Sequence, residues 1–142
     1  MIEARKILGI HEEHANNRGA MVDKIIVSSG GKVGQPWCAY TQVFIHKNCA
    51  LSYANGQAAS WFIKYRRIKN DQVVAGDVFS IWNTGLKRIG HIGIVEQVLP
   101  SHKFIVTIEG NTSGGGSREG DGVYRLTRST KSIYSFARWW KN

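Results

Sequence analysis

Gly34-Gln35-Pro36-Trp37-Cys38-Ala39-Tyr40-Thr41-Gln42-Val43-Phe44 is the stretch on which the fold turns. Ala39, Tyr40, Val43 and Phe44 fall at helical spacing, and Pro36 suits a helix entry because the N–H it lacks is one that a helix start leaves unbonded. The pattern predicts a helix over residues 37–47, with Cys38 in its first turn. Helical patterns also cover residues 20–27 and 55–66. From residue 78 onward the apolar period shortens to two, and strands are expected at 78–82, 91–99, 104–109, 123–127 and 133–137. Helices first and strands afterwards is the signature of an α+β fold, with N-terminal helices packed on one antiparallel β-sheet. Trp61 and Phe62 are expected to pack against that sheet.

The placement of Cys38 has chemical consequences. Unpaired N–H groups and the positive end of the helix macrodipole stabilise a thiolate, lowering the thiol pKa below about 8.5. The same amides suit a developing oxyanion. A thiol nucleophile needs an imidazole to take its proton and a polar group to orient that imidazole. His91 opens the apolar run Gly90-His91-Ile92-Gly93-Ile94-Val95, where a strand fixes the ring and the flanking glycines admit close neighbours. His11, His14, His46 and His102 lack such a setting. The strand at 104–109 delivers Glu109 and Asn111 at its end, and period two points both to one face. Either residue suits the second imidazole nitrogen: a carboxylate favours the imidazolium, an amide fixes the tautomer with less charge stabilisation. Cys49 lies eleven residues beyond Cys38, about 16 Å along an unbroken helix, too far for a disulfide, and reads as a space-filling thiol.

These segments together resemble the cysteine, histidine-dependent amidohydrolase/peptidase (CHAP) family. The resemblance spans most of the chain: Asn17-Arg18-Gly19 with Val22, Gly34 to Ala39, Ala75-Gly76-Asp77-Val78, Gly90 to Glu96, Glu109-Gly110-Asn111-Thr112 and Phe136-Ala137-Arg138. It implies a papain-like fold and cleavage of an amide in bacterial peptidoglycan, by a stem or crosslink endopeptidase or an N-acetylmuramoyl-L-alanine amidase of the phage endolysin type. By position, Cys38 resembles the nucleophile, His91 the general base, and Glu109 or Asn111 the orienting residue; Asp77 reads as a turn cap. Some members bind calcium through acidic residues just before the nucleophile. No Asp or Glu lies between Asp23 and Cys38, so neither metal nor other cofactor is expected.

A length of 142 residues with 42% hydrophobic and 20% charged side chains suits one catalytic domain over residues 1–142. The formal charge is +9, and a basic enzyme gains encounter rate at anionic envelope polymers. Basic residues cluster at 64–69 and 125–141. The opening ten residues include Glu3, Arg5 and Lys6 and form neither a signal peptide nor a membrane span. The expectation is synthesis in the cytoplasm and action on the wall after release through phage lysis, a virion or a secretion device. Residues 110–122 form a glycine-rich loop that either gates substrate or merely connects strands.

Other motifs carry less. His11-Glu12-Glu13-His14 misses the His-Glu-x-x-His zinc spacing because Ala15 holds the needed position, and residues 114–122 lack the Gly-Lys-Ser/Thr ending of a phosphate loop. A nucleic-acid module would need base-stacking aromatics amid the charge, and Tyr65 is the one example in the first basic cluster. No nucleic-acid partner is expected. A catalytically inactive papain-like domain that binds the wall is the other alternative.

Overall fold

The computed structural model describes residues 1–116 and 120–140. Three helices, α1 (Ile2–Lys6), α2 (Ala20–Ser28) and α3 (Cys38–Asn48), precede the strands β1 (Arg67–Ile68), β2 (Val78–Asn83), β3 (Arg88–Val98), β4 (Phe104–Thr112), β5 (Gly122–Ser129) and β6 (Ser135–Ala137). The strands form one antiparallel sheet in the order β1-β6-β2-β3-β4-β5. The fold is α+β, as the order of periodicities predicts, and is consistent with the papain-like architecture that the family resemblance implies.

Alternation along β3 and β4 sorts the core. Ile94 and Ile108 join Val22, Ile25, Ile26 and Ile45 of the helices, while Ile92 and Val78 join Val43, Trp61, Phe62 and Trp139. Phe79, Val95, Ile105 and Phe136 form a third cluster with Val73. Trp61 and Phe62 are thus buried against strand residues, and the Trp139 indole donates to the Trp61 carbonyl at 2.8 Å. Each buried aromatic side chain contributes about 1.5–3 kcal/mol through removal from water.

Two segments depart from the sequence reading. Residues 55–66 form no α-helix but short 3-10 turns at Ala58–Trp61 and Lys64–Arg66, because Asn55 Oδ1 accepts the Gln57 N–H at 2.8 Å and the Ser60 hydroxyl at 2.9 Å, closing a local turn instead. Consecutive burial of Trp61 and Phe62 also suits no single helix face. In addition, β4 runs through Glu109 to Thr112, so the glycine-rich loop is shorter than read, and residues 117–119 of it lie outside the described residues.

One contact positions everything that follows. A side chain at Gly110 would collide with Thr41 of α3, whose Oγ1 also donates to the Trp37 carbonyl at 2.9 Å. The first turns of α3 therefore lie directly on the β4 backbone, and only a glycine there lets them.

Candidate active site

Cys38 is the first residue of α3, with Trp37 as its N-cap, and is 8% exposed. The Trp37 side chain makes no capping hydrogen bond of its own. Asn111 serves the purpose from β4: its Oδ1 accepts the Trp37 N–H at 3.1 Å and its Nδ2 donates to the Gly120 carbonyl at 3.1 Å. A break in register between Glu109 and Thr112, with Asn111 at φ 54°, removes Asn111 from the strand alternation. Glu109 and Asn111 consequently do not share a partner, contrary to the period-two expectation.

Glu109 meets the imidazole. His91 Nε2 donates to Glu109 Oε2 at 2.7 Å, with the two side chains 1% and 0% exposed. Gly93 makes this possible: a Cβ there would stand 2.8 Å from Glu109 Cγ and 2.6 Å from the Phe79 ring, so the missing side chain is the space through which the carboxylate reaches His91. The carboxylate is held from behind. Arg128 Nε and Nη2 donate to its two oxygens at 2.6 and 2.7 Å, Thr107 Oγ1 donates to Oε1 at 2.5 Å, and Arg128 also reaches the Gly116 carbonyl at 3.2 Å.

The other imidazole nitrogen, Nδ1, is buried and has no hydrogen-bond partner at ordinary distance. It is nevertheless close enough to Cys38 for the two groups to shift each other's titration. Burial alone would raise the Cys38 pKa, but His91 and the N–H groups of Ile92 and Ala39 outweigh it and hold the thiol below its ordinary value. Burial alone would depress His91, and Cys38 and Glu109 instead raise it to about 9. Glu109, despite burial, is pulled down to about 2 by His91 and Arg128. Cys38, His91, Glu109 and Arg128 thus form one chain of contacts in which each partner shifts its neighbour toward the charged form.

Sequence reading left Arg128 in a basic cluster, although it is only 14% exposed and serves the site. Thr107 was legible in principle, two residues before Glu109 and therefore on its face. Two more members of that cluster are also paired, Arg125 with Glu96 and Arg138 with Asp77. Asp77 Oδ2 in addition accepts the Val74 N–H at 2.9 Å, a turn cap. Cys38 and Cys49 are both free thiols. Among the described residues no cluster of His, Cys, Asp or Glu has the makings of a metal site, and no helix is long and apolar enough to cross a membrane.

The family model of the CHAP domain matches residues 29–111, more than half of the chain, and the chain belongs to that family. CHAP domains are amidohydrolases and peptidases that act on peptidoglycan, which makes this chain a hydrolase of that general class. The match spans Cys38, His91, Glu109 and Asn111 and ends before Arg128. No curated protein and no solved structure matches the chain.

Proposed function

We propose that this chain cleaves an amide bond of bacterial peptidoglycan through the Cys38 thiolate, with His91 as acid and base and Glu109 as the group that orients and charges the imidazole. The observation that carries the reading is the buried contact chain from Cys38 through His91 and Glu109 to Arg128. Attack of the thiolate on the carbonyl carbon forms the C–S bond and moves an electron pair onto oxygen, beside the first-turn N–H groups of α3. His91 gives its Nδ1 proton to the departing amine as the C–N bond breaks. The neutral imidazole then takes a proton from water as the water oxygen attacks the thioester carbonyl, and the C–S bond breaks to release the acid product and restore the thiolate and imidazolium.

Asn111 acts on this chemistry indirectly, by holding the Trp37 N–H and with it the helix start. Of the two amide classes in the wall, peptide bonds of stems and crosslinks suit an extended chain laid across the thiol, and cleavage there is the favoured form. A phage-type lytic role fits the charge of +9, which draws the enzyme to anionic envelopes. Mass spectrometry of sacculi digested by the chain and by its Cys38→Ala variant tests the proposal. New amines inside stems or crosslinks, absent with the variant, are the expected products; sugar-free stems beginning at the first alanine indicate the amidase form. New reducing sugar ends alone contradict the cysteine mechanism.

A further inference from the structure

Two cavities, of about 360 and about 480 Å³, flank the thiol, and both are lined by Pro36, Cys38, Arg88 and Gly90. They are two halves of one trough with Cys38 at the joint. Around it the polar lining is mostly neutral amide, from Asn16, Asn17, Gln35, Gln57 and Asn111. Among the described residues no acidic side chain lines either half, and Arg88 is the one permanent charge in both.

Arg88 also differs from the other arginines described. Arg5 and Arg125 pair with Glu96, Arg18 with Asp23, Arg128 with Glu109 and Arg138 with Asp77. Arg66 lies over the Trp139 ring, and Arg67 donates to the Phe62 carbonyl. Arg88 has no carboxylate, carbonyl or ring partner among the described residues, although β3 fixes its backbone opposite Asn83, three positions before His91. It does not activate the thiol, whose depressed pKa comes from His91 and two backbone amides. An unpaired, exposed guanidinium lining a trough that has no acid among the described residues is free to meet a group on the substrate, and a group whose geometry matches its fork is a carboxylate.

We propose that Arg88 is a specificity residue that binds a free carboxylate flanking the scissile amide, so that the enzyme prefers acidic stem peptides over their amidated forms. This rests on the peptidoglycan reading above. Wall stems carry such carboxylates at the γ-linked glutamate and at the terminal alanine, and amidation removes the charge while keeping nearly the same shape.

Calorimetric titration of the Cys38→Ala chain, which cannot turn substrate over, separates recognition from catalysis. The probes are L-Ala-γ-D-Glu-L-Lys-D-Ala, its isoglutamine form and its C-terminal amide. One of the two amidations is expected to weaken binding about tenfold, the scale of a lost charge-assisted pair. Adding Arg88→Gln should weaken the parent peptide equally and abolish the discrimination, and Arg88→Lys should restore part of it. Unfolding temperature should stay unchanged, since the exposed side chain has no partner to lose. Equal affinity for all three peptides, no measurable binding of the parent, or discrimination that survives Arg88→Gln would overturn the proposal. A carboxylate preference in a chain that releases no product from sacculi would instead remove the hydrolase reading and leave this site standing.

Discussion

Each end of helix α3 sets a cysteine near a buried histidine, Cys38 with His91 of β3 and the C-cap Cys49 with His46, and the two pairs differ in what stands behind the imidazole. At its start, Cys38 faces His91, behind which stand Glu109 and Arg128, and the imidazole pKa rises to about 9. At its end, Cys49 and His46 line a small cavity of about 220 Å³. There burial takes the His46 pKa down to about 4, with only the Gln42 carbonyl, 2.8 Å from Nδ1, to oppose it. The two imidazoles are equally hidden, 1% exposed each, so burial does not decide their charge. The partners do: Cys38 and then Glu109 raise His91, and His46 has neither a thiol nor a carboxylate to do the same. Helix polarity adds to the contrast, since Cys38 meets free N–H groups and Cys49, at the C-cap, meets carbonyls.

The sharpest way to break this comparison is to exchange the fates of the two thiols. Cys38→Ala and His91→Ala should each lower turnover of purified peptidoglycan by about 10⁴-fold or more, because nucleophile and base act as one unit. Cys49→Ala should retain full turnover. Turnover that survives Cys38→Ala, or is lost with Cys49→Ala, would invert the assignment. Next in size is the carboxylate: Glu109→Gln keeps the shape and removes the charge, and a loss of about 10²–10⁴-fold is expected. Arg128→Met should cost about 3–5 kcal/mol of stability in chemical denaturation, since it strands a buried carboxylate. Asn111→Ala, which loses the cap on the helix start and the bond to the Gly120 carbonyl, should cost about 1–2 kcal/mol.

The fold at this end was largely legible in the sequence, because Pro36 and the spacing of Ala39, Tyr40, Val43 and Phe44 mark the start of α3 within one residue. His91 was legible as a strand residue between glycines. The choice between Glu109 and Asn111 was not, since the register break that turns Asn111 toward Trp37 depends on the loop that follows. Arg128 was hidden for a different reason. A charge count treats it like any surface arginine, and only the pairing of β4 with β5, Ile105 opposite Arg128, brings its side chain within reach of Glu109. Residues 55–66 misled because Ala58, Trp61 and Phe62 imitate a helical stripe while Asn55 closes the turn.

The pH response extends the comparison. His91 rises from 6.5 to about 9, so its contribution to stability is complete below pH 6.5 and is lost as pH climbs through about 9. Glu109 falls from 4.5 to about 2, so its contribution is complete above pH 4.5 and is lost as pH drops through about 2. Melting curves of the chain should therefore show the site's full contribution between pH 4.5 and 6.5, and Glu109→Gln should flatten both limbs. Turnover should fall on the alkaline side near pH 9, where the imidazolium loses the proton it gives to the leaving amine. The smallest effect expected is from salt. Activity on sacculi should decline as ionic strength shortens the reach of the +9 charge to about 10 Å at 0.1 M, while a short soluble peptide is cleaved at nearly constant rate. Equal salt profiles for both substrates would make the charge incidental. EDTA should leave both rates unchanged.

The central proposal is that Glu109, by charging His91, helps to hold the Cys38 thiol below its ordinary pKa, and the rate at which Cys38 is alkylated by iodoacetamide reads it most directly. In a Cys49→Ala background the account predicts fast alkylation at pH 7, persisting well below the ordinary thiol range and falling when Glu109→Gln is introduced. Alkylation that rises along a single titration near pH 9 and is indifferent to Glu109→Gln would contradict it.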